Sequence, residues 1–268
     1  MHNSTTMAAR VSVGGPVLTR ALLGQGGIEA IYAKDAPGLR LLTEEERSAS
    51  LAATLKQRPN GPVWIFGYGS LIWNPALKFT ERRTARVDGW HRAFCMSIIA
   101  GRASPAAPGL MLGLDEGGHC LGCAYRLDDA DLARELSVLW RREMQCRGAY
   151  IPRWIELIGE DGRPFGSAVA FTINPDGEKY AGKVPVELAA NRIAIAAGGL
   201  GSCADYLLQT RDGLRAHDIP DADLEELASQ VMALQTSHPL RCAAQFDVCG
   251  SILRADIGVW VFATSGLL

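Results

Sequence analysis

The sequence predicts an α+β fold, because its strand-like and helix-like runs are segregated along the chain. Between residues 63 and about 175, short apolar or alternating segments dominate, and after 185 three helical periods follow one another. The regular strand–helix alternation of a parallel doubly wound sheet is missing.

The elements can be justified in order. Residues 1–28 carry Arg10 and Arg20, several Ser and Thr, and no acid before Glu29; they read as a disordered extension, with a transit peptide as the weaker alternative. Thr43 followed by Glu46 is a capping-box pattern, so a helix starts there and runs toward Arg58. Pro59-Asn60-Gly61-Pro62 stops it and marks a boundary between an N-terminal extension, 1–60, and a domain spanning 61–235. Within that domain strands are expected at 63–67, 84–97, 110–115, 119–127, 151–160 and 165–173, the last two joined by the hairpin residues Glu160-Asp161-Gly162-Arg163. A helix at 129–143 is entered through Asp128 and Asp129, whose charges suit a helix N-terminus. Further helices are expected at 186–197, 203–216 and 221–235. Residues 236–268 form a C-terminal extension to which no role is assigned; its apolar stretch Ile257–Ala263 is too short to cross a bilayer.

Composition excludes several function classes. A balance of 27 basic against 29 acidic residues, with no basic stripe interleaved with aromatics, argues against a nucleic-acid partner. No apolar run reaches the length of a membrane-spanning helix, so a soluble protein without a membrane partner is expected. The seven cysteines, at 95, 120, 123, 146, 203, 242 and 249, are odd in number and scattered, which favours a reducing, cytoplasmic setting. Cys120-Leu121-Gly122-Cys123 has C-x-x-C spacing, but it falls in a strand that points the two thiols to opposite faces, and no second pair completes a metal set.

Two features carry chemistry. Val63–Phe66 breaks into Gly67-Tyr68-Gly69-Ser70-Leu71, where glycines let backbone N–H groups approach a ligand and two hydroxyls stand beside them; such a loop can cradle a carboxylate or an oxyanion. The alternative is a strand-to-loop turn in which glycine only relieves strain. In the 129–143 helix, Leu132, Leu136, Leu139 and Trp140 define an apolar stripe whose next position is Glu143. A carboxylate drawn inward there gains a raised pKa and can act as a general base. If the helix frays, Glu143 instead reaches solvent or pairs with Arg141 or Arg142. The glycine-rich 196–207 segment lacks the preceding strand that a dinucleotide loop requires.

Phe66-Gly67-Tyr68-Gly69-Ser70-Leu71-Ile72-Trp73, Gly89-Trp90-His91-Arg92-Ala93-Phe94, Arg141-Arg142-Glu143-Met144 and Gly201-Ser202 through Asp205-Tyr206-Leu207 together resemble, in order and spacing, the ChaC family, over about residues 61–235. These are the glutathione-specific gamma-glutamylcyclotransferases. The resemblance implies a mixed α/β barrel-like fold and cleavage of glutathione into 5-oxoproline and cysteinylglycine, with no metal or organic cofactor. It also implies that Gly67, Tyr68, Gly69, Ser70 and Leu71 hold the gamma-glutamyl group, that Glu143 is the catalytic base and that Tyr206 lines the pocket. Arg102 is a candidate for the glycine-end carboxylate, against the alternative of a surface arginine. The six residues between Glu143 and Tyr150 are one more than the family pattern. Two rivals stand beside this reading: a serine hydrolase pairing Ser70 with His91, His119 or His217, and a non-catalytic metabolite-binding domain. Oligomeric state is not legible.

Overall fold

The computed structural model describes residues 18–24 and 26–237. Two short helices, α1 (Arg20–Gly24) and α2 (Gly27–Asp35), open it. Residues 20–24 and 27–28 are therefore helical rather than disordered, a correction with a tertiary cause: Arg20 is clamped by the buried carboxylate of Glu135, far along the chain. Residues 1–17 and 25 and the 257–263 segment lie outside the described residues. Helix α3 (Glu44–Lys56) starts at the expected capping box, in which Thr43 accepts from the Glu46 amide and Glu46 accepts from the Thr43 amide.

The five main strands are β1 (Val63–Gly67), β2 (Glu81–Ile98), β3 (Gly109–Arg126), β4 (Tyr150–Ile158) and β5 (Pro164–Ile173). They close into a barrel in the order β1-β3-β2-β4-β5, with β5 returning parallel to β1 and the other neighbours antiparallel. β1 is flanked on both edges and buried throughout, which is why its sequence is continuously apolar rather than alternating. The expected strands 110–115 and 119–127 are one strand. Gly117 and Gly118 both have positive φ, opposite Gly89, also at positive φ, and the register shifts there without ending the pairing. The two glycines that separate the expected strands are a bulge.

Between β1 and β2 a single helical turn, α4 (Ser70–Trp73), replaces the expected open loop and ends before Pro75. Helix α5 (Leu132–Glu143) begins three residues later than expected. The Asp128 carboxylate accepts from the Ala130 amide and holds that stretch in a turn. Leu136, Leu139 and Trp140 are buried against the barrel, where Trp140 meets Phe171 of β5 edge-on at 5.1 Å. Helices α6 (Val186–Ile195), α7 (Cys203–Arg215) and α8 (Ala222–Ser237) pack on one another, and α6 and α7 on β3. A two-residue hairpin, β6 (Ala197–Gly198) and β7 (Gly201–Ser202), joins the first two. Cys120 and Cys123 are both buried along β3, and among the described residues no cluster of His, Cys, Asp or Glu could hold a metal ion. None of the described helices is long and apolar enough to cross a membrane.

Candidate active site

The site is assembled where β1 leaves the barrel. Gly67 is still a strand residue, and a methyl on it would lie 2.9 Å from Leu71 Cβ, so its glycine lets α4 fold back onto the strand. At Gly69 a methyl would lie 2.7 Å from the Tyr206 hydroxyl, which brings α7 directly against the loop. Tyr68 is buried, and its hydroxyl donates to the Phe171 carbonyl at 2.7 Å. Its own carbonyl accepts from Arg92, a buried arginine that also donates to the Leu121 carbonyl and pairs with Asp221. The loop is thus fixed by three barrel strands and the start of α8.

Glu143, the last residue of α5, faces this loop. Its side chain is 16% exposed, and Arg142, at 2% exposed, places Nε 3.0 Å from Glu143 Oε1. The approach is too bent for a hydrogen bond, and Glu143 Oε1 has no hydrogen-bond partner among the described residues. Burial pushes the Glu143 carboxyl above the ordinary range, and the Arg142 charge pulls it partly back. The two alternatives foreseen for this residue have merged: it sits on the inward stripe and is paired with a neighbouring arginine. Arg142 also donates to the carbonyls of Asn74 and Pro75 and, at 2.9 Å, to Ser70 Oγ, so one side chain ties the carboxylate to the loop.

Two adjoining cavities meet here. The first is lined by Tyr68, Gly69, Ser70, Leu71, Glu143, Tyr150 and Tyr206, among others. The second shares Ser70, Glu143, Tyr150 and Tyr206 and continues past Arg102, Cys146 and Lys179 to Tyr32. Burial pushes the Tyr68, Tyr150 and Tyr206 hydroxyls up, so all three are neutral at ordinary pH. Arg102 is not a surface arginine: it donates to the Ser202 carbonyl and lies over the rings of Trp73 and Tyr206. Of the residues that the family resemblance or the Arg102 reading placed in the site, Gly67 alone lines neither cavity; its part is packing. His91, His119 and His217 line neither cavity, so Ser70 has no histidine beside it there.

Several site residues had no role in the sequence reading. Arg92 lies in a motif quoted above, directly before the apolar run Ala93–Met96. Arg142 entered the reading only as an alternative partner of Glu143, with no contact to the loop, and Tyr150 only as the residue that ends the lengthened spacing. Tyr32 gives no local signal.

The family described as ChaC-like protein matches residues 63–234. A glutathione-specific gamma-glutamylcyclotransferase of Escherichia coli K12 is 47% identical over 195 residues, covering 72% of this chain and 84% of the relative. The human glutathione-specific gamma-glutamylcyclotransferase 1 is 31% identical over 187 residues, covering 68% and 83%. Among solved structures, the crystal structure of a yeast gamma-glutamyl cyclotransferase specific to glutathione aligns with a TM-score of 0.58 at 20% identity, over 65% of this chain and 100% of that one, a likeness of fold. With the family matched across the barrel, the loop and α5 to α8, this chain belongs to the ChaC-like family.

Proposed function

We propose that this protein cleaves glutathione into 5-oxoproline and cysteinylglycine. The observation that carries the reading is the Glu143 carboxylate, largely buried, raised in pKa, ion-paired with Arg142 and with an oxygen that accepts no hydrogen bond among the described residues, beside a glycine-containing loop. A domain that only binds metabolites has no need of such a group. The gamma-glutamyl unit carries its own nucleophile, an α-amine that closes a five-membered ring on the γ-carbonyl, so the protein must fold the substrate into attack geometry rather than supply an attacking group.

In this reading Glu143 accepts the proton of the α-amine and returns it to the departing amine of cysteinylglycine. The 68–71 segment holds the gamma-glutamyl end, and backbone amides of this segment suit its carboxylate or the tetrahedral oxygen. Tyr206 and Tyr150 wall the first cavity, and Arg102 takes the glycine-end carboxylate. No organic cofactor or metal enters these steps. The names of the bacterial and human relatives support the substrate, and a cytoplasmic location suits the free thiols at Cys95, Cys120, Cys123, Cys146 and Cys203.

The test is incubation of the purified protein with glutathione and with N-acetylated glutathione, followed by mass spectrometry. The reading expects 5-oxoproline from the first and nothing from the second, whose amine lone pair is tied up in an amide. Release of glutamate, or of N-acetylglutamate from the capped substrate, indicates hydrolysis and contradicts it.

A further inference from the structure

The family match begins at residue 63, yet part of the second cavity is built from residues before it. Leu18, Tyr32 and Leu39 line that cavity together with Arg102 and Glu143. The segment carrying them is tied down at both ends. Arg20 of α1 meets the fully buried carboxylate of Glu135 with a 2.9 Å bond from Nη2 to Oε1, on the same helix that ends in Glu143. At the end of α2, Asp35 Oδ2 accepts from the Gly101 amide at 2.8 Å and the Gly199 amide at 2.9 Å. Those two bonds hold the loop that carries Arg102 and the turn that leads to Ser202, the acceptor of Arg102.

Tyr32 sits between these anchors. Gly101 has φ +75°, and a methyl there would lie 3.1 to 3.2 Å from Tyr32 Cε2, Cζ and the hydroxyl oxygen, so the ring rests directly on the Arg102 loop. It lines the second cavity but not the first, which is bounded by the 68–71 segment. A substrate whose gamma-glutamyl group fills the first cavity therefore extends its remaining residues toward Tyr32 and Arg102.

We propose that Tyr32 is a specificity-determining residue, contacting the glycine end of the substrate and favouring the tripeptide over shorter gamma-glutamyl compounds. This rests on the function proposed above. The segment from Leu18 to Leu39 then supplies part of the wall of the site, and this stretch before the family domain selects what the domain cleaves.

The experiment measures 5-oxoproline release from glutathione by wild type, Tyr32→Ala and Tyr32→Phe, with gamma-glutamylcysteine as a competitor. For Tyr32→Ala we expect KM for glutathione to rise about tenfold with kcat within about threefold, the size of one lost aromatic contact expressed as uniform binding. The inhibition constant of gamma-glutamylcysteine, which lacks the glycine, should stay within about twofold of wild type. Tyr32→Phe tells ring from hydroxyl: wild-type KM assigns the contact to the ring, and an alanine-like KM assigns it to the hydroxyl. An unchanged KM in Tyr32→Ala, a parallel rise in both constants, or a fall in kcat alone overturns the proposal while leaving the activity standing. Absence of 5-oxoproline from the wild type is a different failure, that of the underlying function, and the proposal falls with it.

Discussion

Removing the Arg142 cation should move the acid side of the pH–rate profile upward. Glu143 acts as a base only when ionised, so kcat/KM rises with pH through its pKa, which burial holds above the ordinary range and Arg142 lowers. Arg142→Met leaves the burial and removes the opposing charge 3.0 Å away, so the carboxyl protonates at higher pH and the rising limb shifts in that direction. The same change strips three acceptors, the Asn74 and Pro75 carbonyls and Ser70 Oγ, of their donor. Breaking a buried pair costs about 3–5 kcal/mol of stability, a large share of the roughly 5–15 kcal/mol typical of a domain. Urea unfolding should register that loss, and the kinetics must be taken where the variant is folded. Arg142→Lys is the companion variant: it keeps a cation, so its limb should move less, while loss of the planar fork misplaces the loop and lowers kcat. The assay is 5-oxoproline release from glutathione across the pH range in which both variants remain folded. A folded Arg142→Met with its acid limb at or below the wild-type position would refute the reasoning.

Two further substitutions probe the loop. Gly69→Ala forces a methyl to within 2.7 Å of the Tyr206 hydroxyl, so kcat/KM should fall by about two orders of magnitude through misplacement; adding Tyr206→Phe removes the clashing oxygen and should restore part of it, whereas a double variant no better than the single would assign the loss elsewhere. Ser70→Ala removes one acceptor of Arg142 and should cost about 1 kcal/mol in stability. It should retain far more activity than Glu143→Gln, since the nucleophile belongs to the substrate; covalent labelling of Ser70 by a fluorophosphonate with complete loss in the alanine variant would reverse that order in favour of a serine hydrolase.

What could be read from the sequence followed the range of the forces involved. Glu143 was legible because its inward position is set by the 3.6-residue period of Leu136, Leu139 and Trp140. The start of α3 was legible because a capping box is satisfied within four residues. By contrast, whether Gly117-Gly118 turns the chain or bulges it depends on Gly89 across the hairpin, which one strand does not reveal. Buried arginines were missed for a related reason. Arg92 and Arg142 look like surface charges until the carbonyls of Tyr68, Leu121, Asn74 and Pro75 converge on them from elsewhere in the chain. Glu135 is fully buried although it lies off the expected stripe, because Arg20 and the Lys78 amide reach it from distant segments. The same holds for Tyr32, whose place at the cavity follows from the Arg20 and Asp35 anchors rather than from any pattern around it.

Glu143→Gln with glutathione as substrate is the measurement closest to the centre of this account. The amide keeps the shape of the side chain beside Arg142 and the loop but cannot accept the α-amine proton. Release of 5-oxoproline should therefore fall by about 10² to 10⁴, while calorimetric titration still shows glutathione binding and the fold persists. A Gln variant that forms 5-oxoproline at the wild-type rate would contradict the assignment of Glu143 as the base.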